Sequence, residues 1–179
     1  MSGQDQAPTL PENFAGSPQT PNFFLVSPLK LIVMSVCTFG IYETYWFYRN
    51  WCAIKRFDQS NILPIWRAVL GQLFCYFLFR RIQATGRSCG ISKSMGPGLL
   101  AVGWVLLTFL AWLPAPFGLV TLLAVLLLVP VQTAVNEMNK TTNPQRDANS
   151  GFTVWNIAAI VIGGLILALG LLASLVPRR

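Results

Sequence analysis

Between residues 98 and 135 the chain carries no charged side chain, and its apolar residues are interrupted mainly by Pro114-Ala115-Pro116. A stretch this long and apolar cannot cover a water-facing surface, so it must be buried in a core or in lipid. The whole chain has the same character, because charged residues make up 11% of its 179 residues, against about 25% in soluble domains. The sequence therefore predicts an all-α, polytopic integral membrane protein.

Five apolar segments follow one another along the chain. They cover residues 29–47, 68–79, 98–113, 117–135 and 152–176. A spanning helix needs about 20 apolar residues; the last two segments reach that length, and the third is slightly short. The first is long enough but carries Glu43 near its end, and the second is too short for a simple span. We therefore expect four to five hydrophobic helices, depending on whether the second segment crosses.

Residues 1–28 differ from the rest of the chain in composition. They are rich in Pro, Gln, Asn, Ser and Gly and begin with neither a basic cluster nor an apolar run. This composition argues against a secretory signal peptide and is typical of a disordered tail. The predicted organisation is therefore a disordered tail at 1–28 followed by an integral membrane helical domain at 29–179.

The positive charge of the chain indicates membrane topology. A net charge of +7 could suggest nucleic acid, but the Lys and Arg residues lie just outside apolar runs. Anionic headgroups and the positive-inside rule favour that placement. We therefore expect the bilayer, and no nucleic acid, as partner, with residues 48–67, 80–97 and 136–150 in the cytoplasm. The first segment then runs from outside to inside, and the N-terminal tail lies outside.

The orientation of the C-terminus depends on the second segment. If residues 68–79 lie at the interface or form a shallow re-entrant helix, four spans leave Arg178 and Arg179 outside. If the segment crosses, five spans place both arginines inside. The sequence leaves these alternatives open.

Residues 37–51 combine aromatic rings with positive charge in the sequence CTFGIYETYWFYRNW. Tyr and Trp favour the headgroup level, so we expect an interfacial anchor. Glu43 admits a second interpretation, because a carboxylate inside a membrane is by default a candidate functional group that pairs with an arginine or binds a cation. The candidate functional or interfacial residues are Tyr42, Glu43, Tyr45, Trp46, Arg49, Trp66 and Arg67.

Catalytic and metal-binding patterns are missing from the sequence. It contains no histidine, and its four cysteines (Cys37, Cys52, Cys75 and Cys89) form no C-x-x-C pair. Histidine is the commonest general base, and clustered Cys and His normally bind zinc. The sequence has no P-loop, no G-x-G-x-x-G motif and no paired carboxylates within its apolar segments. We therefore expect no enzymatic activity, no metal site and no cofactor.

Small residues recur four apart in the last segment. The pairs are Ala159 with Gly163, Gly164 with Ala168, and Gly170 with Ser174. Such pairs let helices approach closely in lipid. They favour packing against another span of this chain, with a homo-oligomer or another membrane protein partner as the alternative. Gly40 in the first segment similarly predicts a close helix approach or a bend.

The fourth segment continues past Pro130 as a helix with an apolar stripe. Val131, Val135 and Met138 form the stripe, and Gln132 falls on another face. We expect this helix to emerge into the cytoplasm.

The stretch from 27 to 51, SPLKLIVMSVCTFGIYETYWFYRNW, resembles the start of bacterial membrane proteins in the domain-of-unknown-function 4234 family. The shared pattern is an apolar run, T-[FL]-G-[IL]-Y, two residues, Y-W and a basic stretch. Its positions here are Thr38, Phe39, Gly40, Ile41, Tyr42, Tyr45 and Trp46. Similar residues follow at 64–69 and 77–82, and the likeness is looser beyond. The resemblance implies a bacterial inner-membrane location and supplies no activity.

These observations favour a non-enzymatic membrane protein of otherwise unknown molecular function, with an interaction or assembly role. The alternative is a small transporter or channel component. Transport needs polar groups along a path, and the apolar segments offer few of them: Glu43, Gln72, Thr108 and Thr121.

Overall fold

The computed structural model describes residues 20–91, 94–113, 117–147 and 149–175. The protein is all-helical, with 76% of residues in helices and no strand in the described ranges. The helices are α1 (Pro28–Cys37), α2 (Ile41–Phe57), α3 (Pro64–Val69), α4 (Gly71–Ser88), α5 (Pro97–Phe109), α6 (Val125–Thr142) and α7 (Val154–Leu175). Two 3₁₀ segments join α5 to α6, Leu110–Trp112 and Phe117–Ala124.

Residues 20–27 form an extended segment that packs on the helices. Phe23, Leu25 and Val26 are buried in the core, and the segment ends in the N-cap of α1, where the Ser27 hydroxyl accepts a hydrogen bond from the Lys30 backbone N–H. This part of the predicted tail is therefore ordered, because its aromatic and aliphatic side chains have a core to enter. Residues 1–19 lie outside the described part of the chain.

The first predicted segment, 29–47, is divided into α1 and α2 by a sharp turn. Phe39 and Gly40 both have positive φ, of 52° and 86°, a conformation that ends a right-handed helix. The Thr38 hydroxyl donates to the Met34 carbonyl (2.7 Å) and accepts from the Tyr42 backbone N–H (3.0 Å). The expectation of one continuous helix over 29–47 is therefore wrong, and Gly40 provides the predicted bend.

The second predicted segment, 68–79, is also interrupted. The helix breaks at Leu70, which separates α3 from α4. Gly71 opens α4 in tight contact with α5, since a Cβ on Gly71 would lie 3.3 Å from the Trp104 ring. α4 then continues well beyond the apolar residues, to Ser88, because the helical face that packs inward includes Ile82 and Gly86.

The α1–α2 and α3–α4 pairs are helical hairpins whose open ends point the same way. Asp58, after α2, pairs with Arg81 of α4 at 2.5 Å, and Gly86 of α4 lies against Met138 near the end of α6. The last turns of α2, α4 and α6 carry basic residues, which are Lys55, Arg56, Arg87 and Lys140. We call this end of the molecule the basic end and the opposite end of the hairpins the tips.

Within the described part of the chain, two helices are long and apolar enough to cross a membrane. They are Leu119–Thr142, which joins the second 3₁₀ segment to α6, and Val154–Leu172 of α7. α1 and the helix Pro97–Trp112 are apolar but shorter. The two candidates differ in packing, since 39% of the residues in the apolar window of the first helix are buried within the protein, against 6% in the second. The expected four to five spans are therefore not confirmed.

α7 packs on α1 through a glycine. Gly163 is buried, and a Cβ placed on it would overlap the carbonyl oxygen of Cys37 at the end of α1. At the other end of α1, the Lys30 ammonium donates to Asn149 Oδ1 (2.9 Å) and to the Gly151 carbonyl (2.6 Å), just before α7 begins. Of the small residues in this segment, Gly163 therefore packs within the chain, whereas a Cβ on Gly164 or Gly170 would meet nothing within 4 Å. The first hairpin turn lies about half-way along α7.

These contacts also correct the expected orientation of the N-terminal segment. Arg146 donates to Asn22 Oδ1 at 3.1 Å, and Lys30 contacts the residues before α7. The start of the described chain and the α6–α7 loop therefore lie at the same basic end. The expectation that they lie on opposite sides of a membrane is wrong, because side chains of the two regions are directly hydrogen-bonded to each other.

The contact between α1 and α7 predicts opposite responses at two adjacent glycines. Gly163→Ala should lower the free energy of unfolding by about 1–3 kcal/mol, because the new methyl group meets the Cys37 carbonyl. Gly164→Ala is the matched control, since a Cβ there meets nothing within 4 Å, and it should be neutral or stabilising by up to about 1 kcal/mol. Thermal unfolding in detergent micelles compares the two. Equal melting temperatures would contradict the described packing.

Candidate functional site

A cavity of about 270 Å³ lies where the tips of the two hairpins meet the end of α5 and the second 3₁₀ segment. Its walls combine aromatic, aliphatic and polar side chains with one carboxylate. We call it the tip cavity, and its principal lining residues are Phe39, Glu43, Phe47, Gln72, Trp104, Thr108 and Thr121. It brings together residues from α2, α4, α5 and the 3₁₀ segment that are far apart in the sequence.

Glu43 is the charged residue of the tip cavity. It lies in the first turn of α2, directly after the left-handed Gly40, where the helix dipole favours a negative side chain. The side chain is only 6% exposed, and its Oε2 accepts a hydrogen bond from Trp104 Nε1 at 2.8 Å. The carboxylate is thus held by one indole donor against a wall of the cavity.

No basic side chain among the described residues compensates the charge of Glu43. The cavity lining contains neither Lys nor Arg, and the ion pair found in the described ranges joins Asp58 to Arg81. Arg49 points away, with its guanidinium over the Phe24 ring (5.1 Å) and its Nη1 donating to the Tyr45 hydroxyl (2.9 Å). The hypothesis that Glu43 pairs with a neighbouring arginine is therefore wrong, because the two side chains lie on different faces of α2.

The predicted aromatic anchor is divided between an inner and an outer face of α2. Tyr45 is 41% exposed, whereas Trp46 is completely buried and its Nε1 donates to Gln132 Oε1 at 2.6 Å. Tyr42 is partly buried and stacks obliquely on Tyr45. The expectation that Trp46 anchors the chain at an interface is wrong, because its indole N–H finds an acceptor inside the protein.

The other two candidate residues, Trp66 and Arg67, lie on α3 and outside the tip cavity lining. Trp66 is 61% exposed. Arg67 places its guanidinium over the Trp51 ring at 4.5 Å and the Phe74 ring at 5.4 Å. The structure therefore assigns Arg67 a cation–π role that joins α3 to its neighbours, and it separates both residues from Glu43.

A buried polar network joins α2, α6 and the extended segment 20–27. Gln132 accepts from Trp46 and donates to the Phe24 carbonyl (3.2 Å) and to Asn136 Oδ1 (2.8 Å). Asn50 accepts from the Phe24 backbone N–H at 3.1 Å. Both amides are fully buried, so they satisfy backbone groups that would otherwise lack partners.

Gln132 lies on another face of α6 than the predicted apolar stripe, and it is nevertheless fully buried. Its amide is needed inside, where three other groups converge on it. The sequence did not predict Trp104 as a site residue. A tryptophan within an apolar segment nevertheless indicates that its indole N–H needs a hydrogen-bond acceptor. Glu43 is that acceptor.

The described residues contain no group of three His, Cys, Asp or Glu placed to hold a metal ion. The cysteines Cys37, Cys52, Cys75 and Cys89 are free thiols. No family model, curated protein or solved structure matches the chain. The resemblance of residues 27–51 to the 4234 family therefore stays a prediction.

The polar network makes a prediction about stability. Gln132→Leu should lower the free energy of unfolding by about 1–3 kcal/mol, because the Trp46 N–H and two acceptors lose their buried partner. Gln72→Leu is the matched control, since Gln72 is exposed and its loss should change stability by less than about 0.5 kcal/mol. Denaturant unfolding followed by tryptophan fluorescence measures both variants. A Gln132→Leu protein as stable as the control would refute the proposed importance of the network.

Proposed function

We propose that the chain is a non-enzymatic integral membrane protein with an interaction or assembly role inside the membrane. One observation carries the proposal: α7 is a long apolar helix, and only 6% of the residues in its apolar window are buried within the protein. Exposure of that much apolar surface to water is strongly unfavourable, so lipid or a partner helix must cover it. The resemblance to the 4234 family adds the bacterial inner membrane as the proposed location.

The proposed topology contains re-entrant hairpins in place of the expected first span. α1 has 10 residues, a length of about 15 Å, or half the hydrocarbon core of about 30 Å. Its turn lies beside Gly163, about half-way along α7. If α7 spans the bilayer, α1 and α2 enter to about mid-depth and return to the basic end, and α3 and α4 repeat this path.

The remaining helices complete the crossings. α5, the helix Leu119–Thr142 and α7 run alternately away from and toward the basic end. Three crossings would therefore leave the C-terminus on the side of the membrane opposite to the basic end. The basic end then faces the cytoplasm, where anionic headgroups and the positive-inside rule favour its lysines and arginines. Lys55, Arg87, Lys140 and Arg146 are the residues proposed to contact headgroup phosphates.

Labelling from each side of the membrane tests this topology. In a cysteine-free background, Asn61→Cys after α2 and Gln145→Cys after α6 should react with an impermeant maleimide from the same, cytoplasmic side. Trp112→Cys, which is 87% exposed beyond α5, should react from the opposite side and serves as the control. Labelling of the first two positions from opposite sides would mean that α1 and α2 cross the membrane, and would overturn the re-entrant topology.

The interaction role is assigned to the face of α7 that α1 leaves uncovered. Leu165 and Leu169 are exposed on this helix, and Gly164 has open space around it. A second transmembrane helix can approach closely at such a small residue, where van der Waals packing stabilises the pair.

Cross-linking within intact membranes distinguishes a partner helix from lipid. A photoreactive residue at Leu165 should give a protein adduct of discrete mass, and twice the chain mass would identify a second copy. Gly164→Ile should abolish the adduct by preventing close approach, without disturbing the fold. Lipid adducts alone, unchanged by Gly164→Ile, would contradict the interaction role.

A small transporter or channel component is the second candidate function. The specific observation in its favour is the tip cavity, which contains a buried carboxylate together with Gln72, Thr108 and Thr121. In the proposed topology the cavity lies within the membrane, where ionisable groups usually serve a function. Ion flux through the purified, reconstituted protein would support this candidate over the interaction role.

A further inference from the structure

We propose that the tip cavity is a binding site for a small quaternary ammonium group, with Glu43 as its counter-ion and aromatic rings as its walls. The proposal goes beyond the interaction role, and it depends on the contacts in the cavity rather than on the number of spans.

The charge distribution around the cavity determines the sign of the charge that a ligand would carry. The cavity lining contains neither lysine nor arginine. Lys55, Arg56, Arg87 and Lys140 lie at the basic end, and Arg67 stacks on aromatic rings outside the lining. The tip cavity therefore supplies no cation to the Glu43 carboxyl group. A buried carboxylate in this position is stabilised by a positively charged ligand.

The chemistry of the walls selects an organic cation over a metal ion. A hard metal cation requires several oxygen ligands around it, whereas the described residues contain no group of three His, Cys, Asp or Glu placed to hold an ion, and the tip cavity has a single carboxylate. Phe39, Phe47 and Trp104 line the same space, and aromatic faces attract alkylated ammonium groups.

The backbone at Phe39 supports the assignment of this ring to the cavity wall. A positive φ of 52° is unfavourable for a bulky residue. The turn that ends α1 requires this conformation, and it places the Phe39 side chain in the lining of the cavity. The ring is 47% exposed, so burial in a core does not account for its position.

The cavity volume limits the size of the ligand. About 270 Å³ lies just below the range of about 300–1,000 Å³ that accommodates drug-sized molecules. Tetramethylammonium, or the trimethylammonium end of a larger molecule, is small enough, and tetrabutylammonium is not. The natural source of the group is then either a free cation or a phosphocholine lipid headgroup.

Calorimetric titration of the full chain with tetramethylammonium tests the site. The protein is kept in maltoside micelles, since phosphocholine detergents carry the same group. Glu43→Gln should weaken binding about tenfold or more by removing the charge, while its amide oxygen can still accept from Trp104 and preserve the fold. Glu137→Gln is the matched control, because Glu137 is exposed near the basic end of α6, and it should bind as the unmodified protein does.

Two further experiments test the contribution of the aromatic wall residue Phe39 and the upper limit on ligand size. Phe39→Leu retains an apolar side chain but removes the ring, and should weaken tetramethylammonium binding about two- to fivefold. Tetrabutylammonium and the neutral analogue 3,3-dimethylbutanol should bind much more weakly than tetramethylammonium. Potassium should not compete at equal concentration.

The outcomes that overturn the proposal are equally specific. They are absence of tetramethylammonium binding at millimolar concentration, equal affinity of the Glu43→Gln and unmodified proteins, or displacement by potassium at equal concentration. Where binding occurs as expected, nanodiscs identify the source. Weaker apparent affinity in phosphatidylcholine than in phosphatidylglycerol indicates the lipid headgroup, and equal affinity indicates a free cation; both support the site.

Discussion

The reversal of the chain at residues 38–40 is the constraint on which the rest of the architecture depends. A continuous helix would carry the aromatic residues of α2 past the end of α1 and away from α6. The left-handed backbone at Phe39 and Gly40 returns them instead, so that Trp46 reaches Gln132 on α6. The same turn presents the Cys37 carbonyl to Gly163, and this close contact joins α7 to the helical assembly.

Buried polar groups determine how the remaining pieces fit around this turn. In an apolar environment an unpaired amide or indole N–H is unfavourable by several kcal/mol, of order 2–7, so each such group restricts the arrangements that the helices can adopt. Gln132 satisfies an indole, a backbone carbonyl and a second amide at once, and thereby fixes α6 relative to α2 and to the extended segment 20–27. Glu43 and Trp104 form a similar link between α2 and α5 at the tips. Apolar packing alone would allow these helices to rotate or slide.

The sequence predicted the features that follow from average composition and local spacing. The helical class, the two long apolar helices and the small-residue spacing around Gly163 belong to this group, since each depends on residues close together in the chain. The division of 29–47 into two helices was not predicted, because apolarity is the same on both sides of the turn and only its backbone conformation differs. The burial of Gln132 and Trp46 was also missed. Helical periodicity reveals which residues share a face, but whether a polar side chain on another face finds a buried partner depends on a distant element.

The two ends of the hairpins have opposite electrostatic character, and this follows from the same reversal of the chain. Because each hairpin returns to the end at which it began, the basic residues at the ends of α2 and α4 collect at the basic end. The short turns at the tips carry no basic residue, and Glu43 lies directly after one of them. A straight helix in place of the first hairpin would put the carboxylate and the following basic residues, Arg49, Lys55 and Arg56, at successive levels along one axis. The hairpin instead brings Glu43 to the level of Trp104 and Gly71, within a cavity whose aromatic and polar walls come from the neighbouring elements. The electrostatic field of this cavity is therefore a consequence of the backbone path and is separate from the net positive charge of the chain.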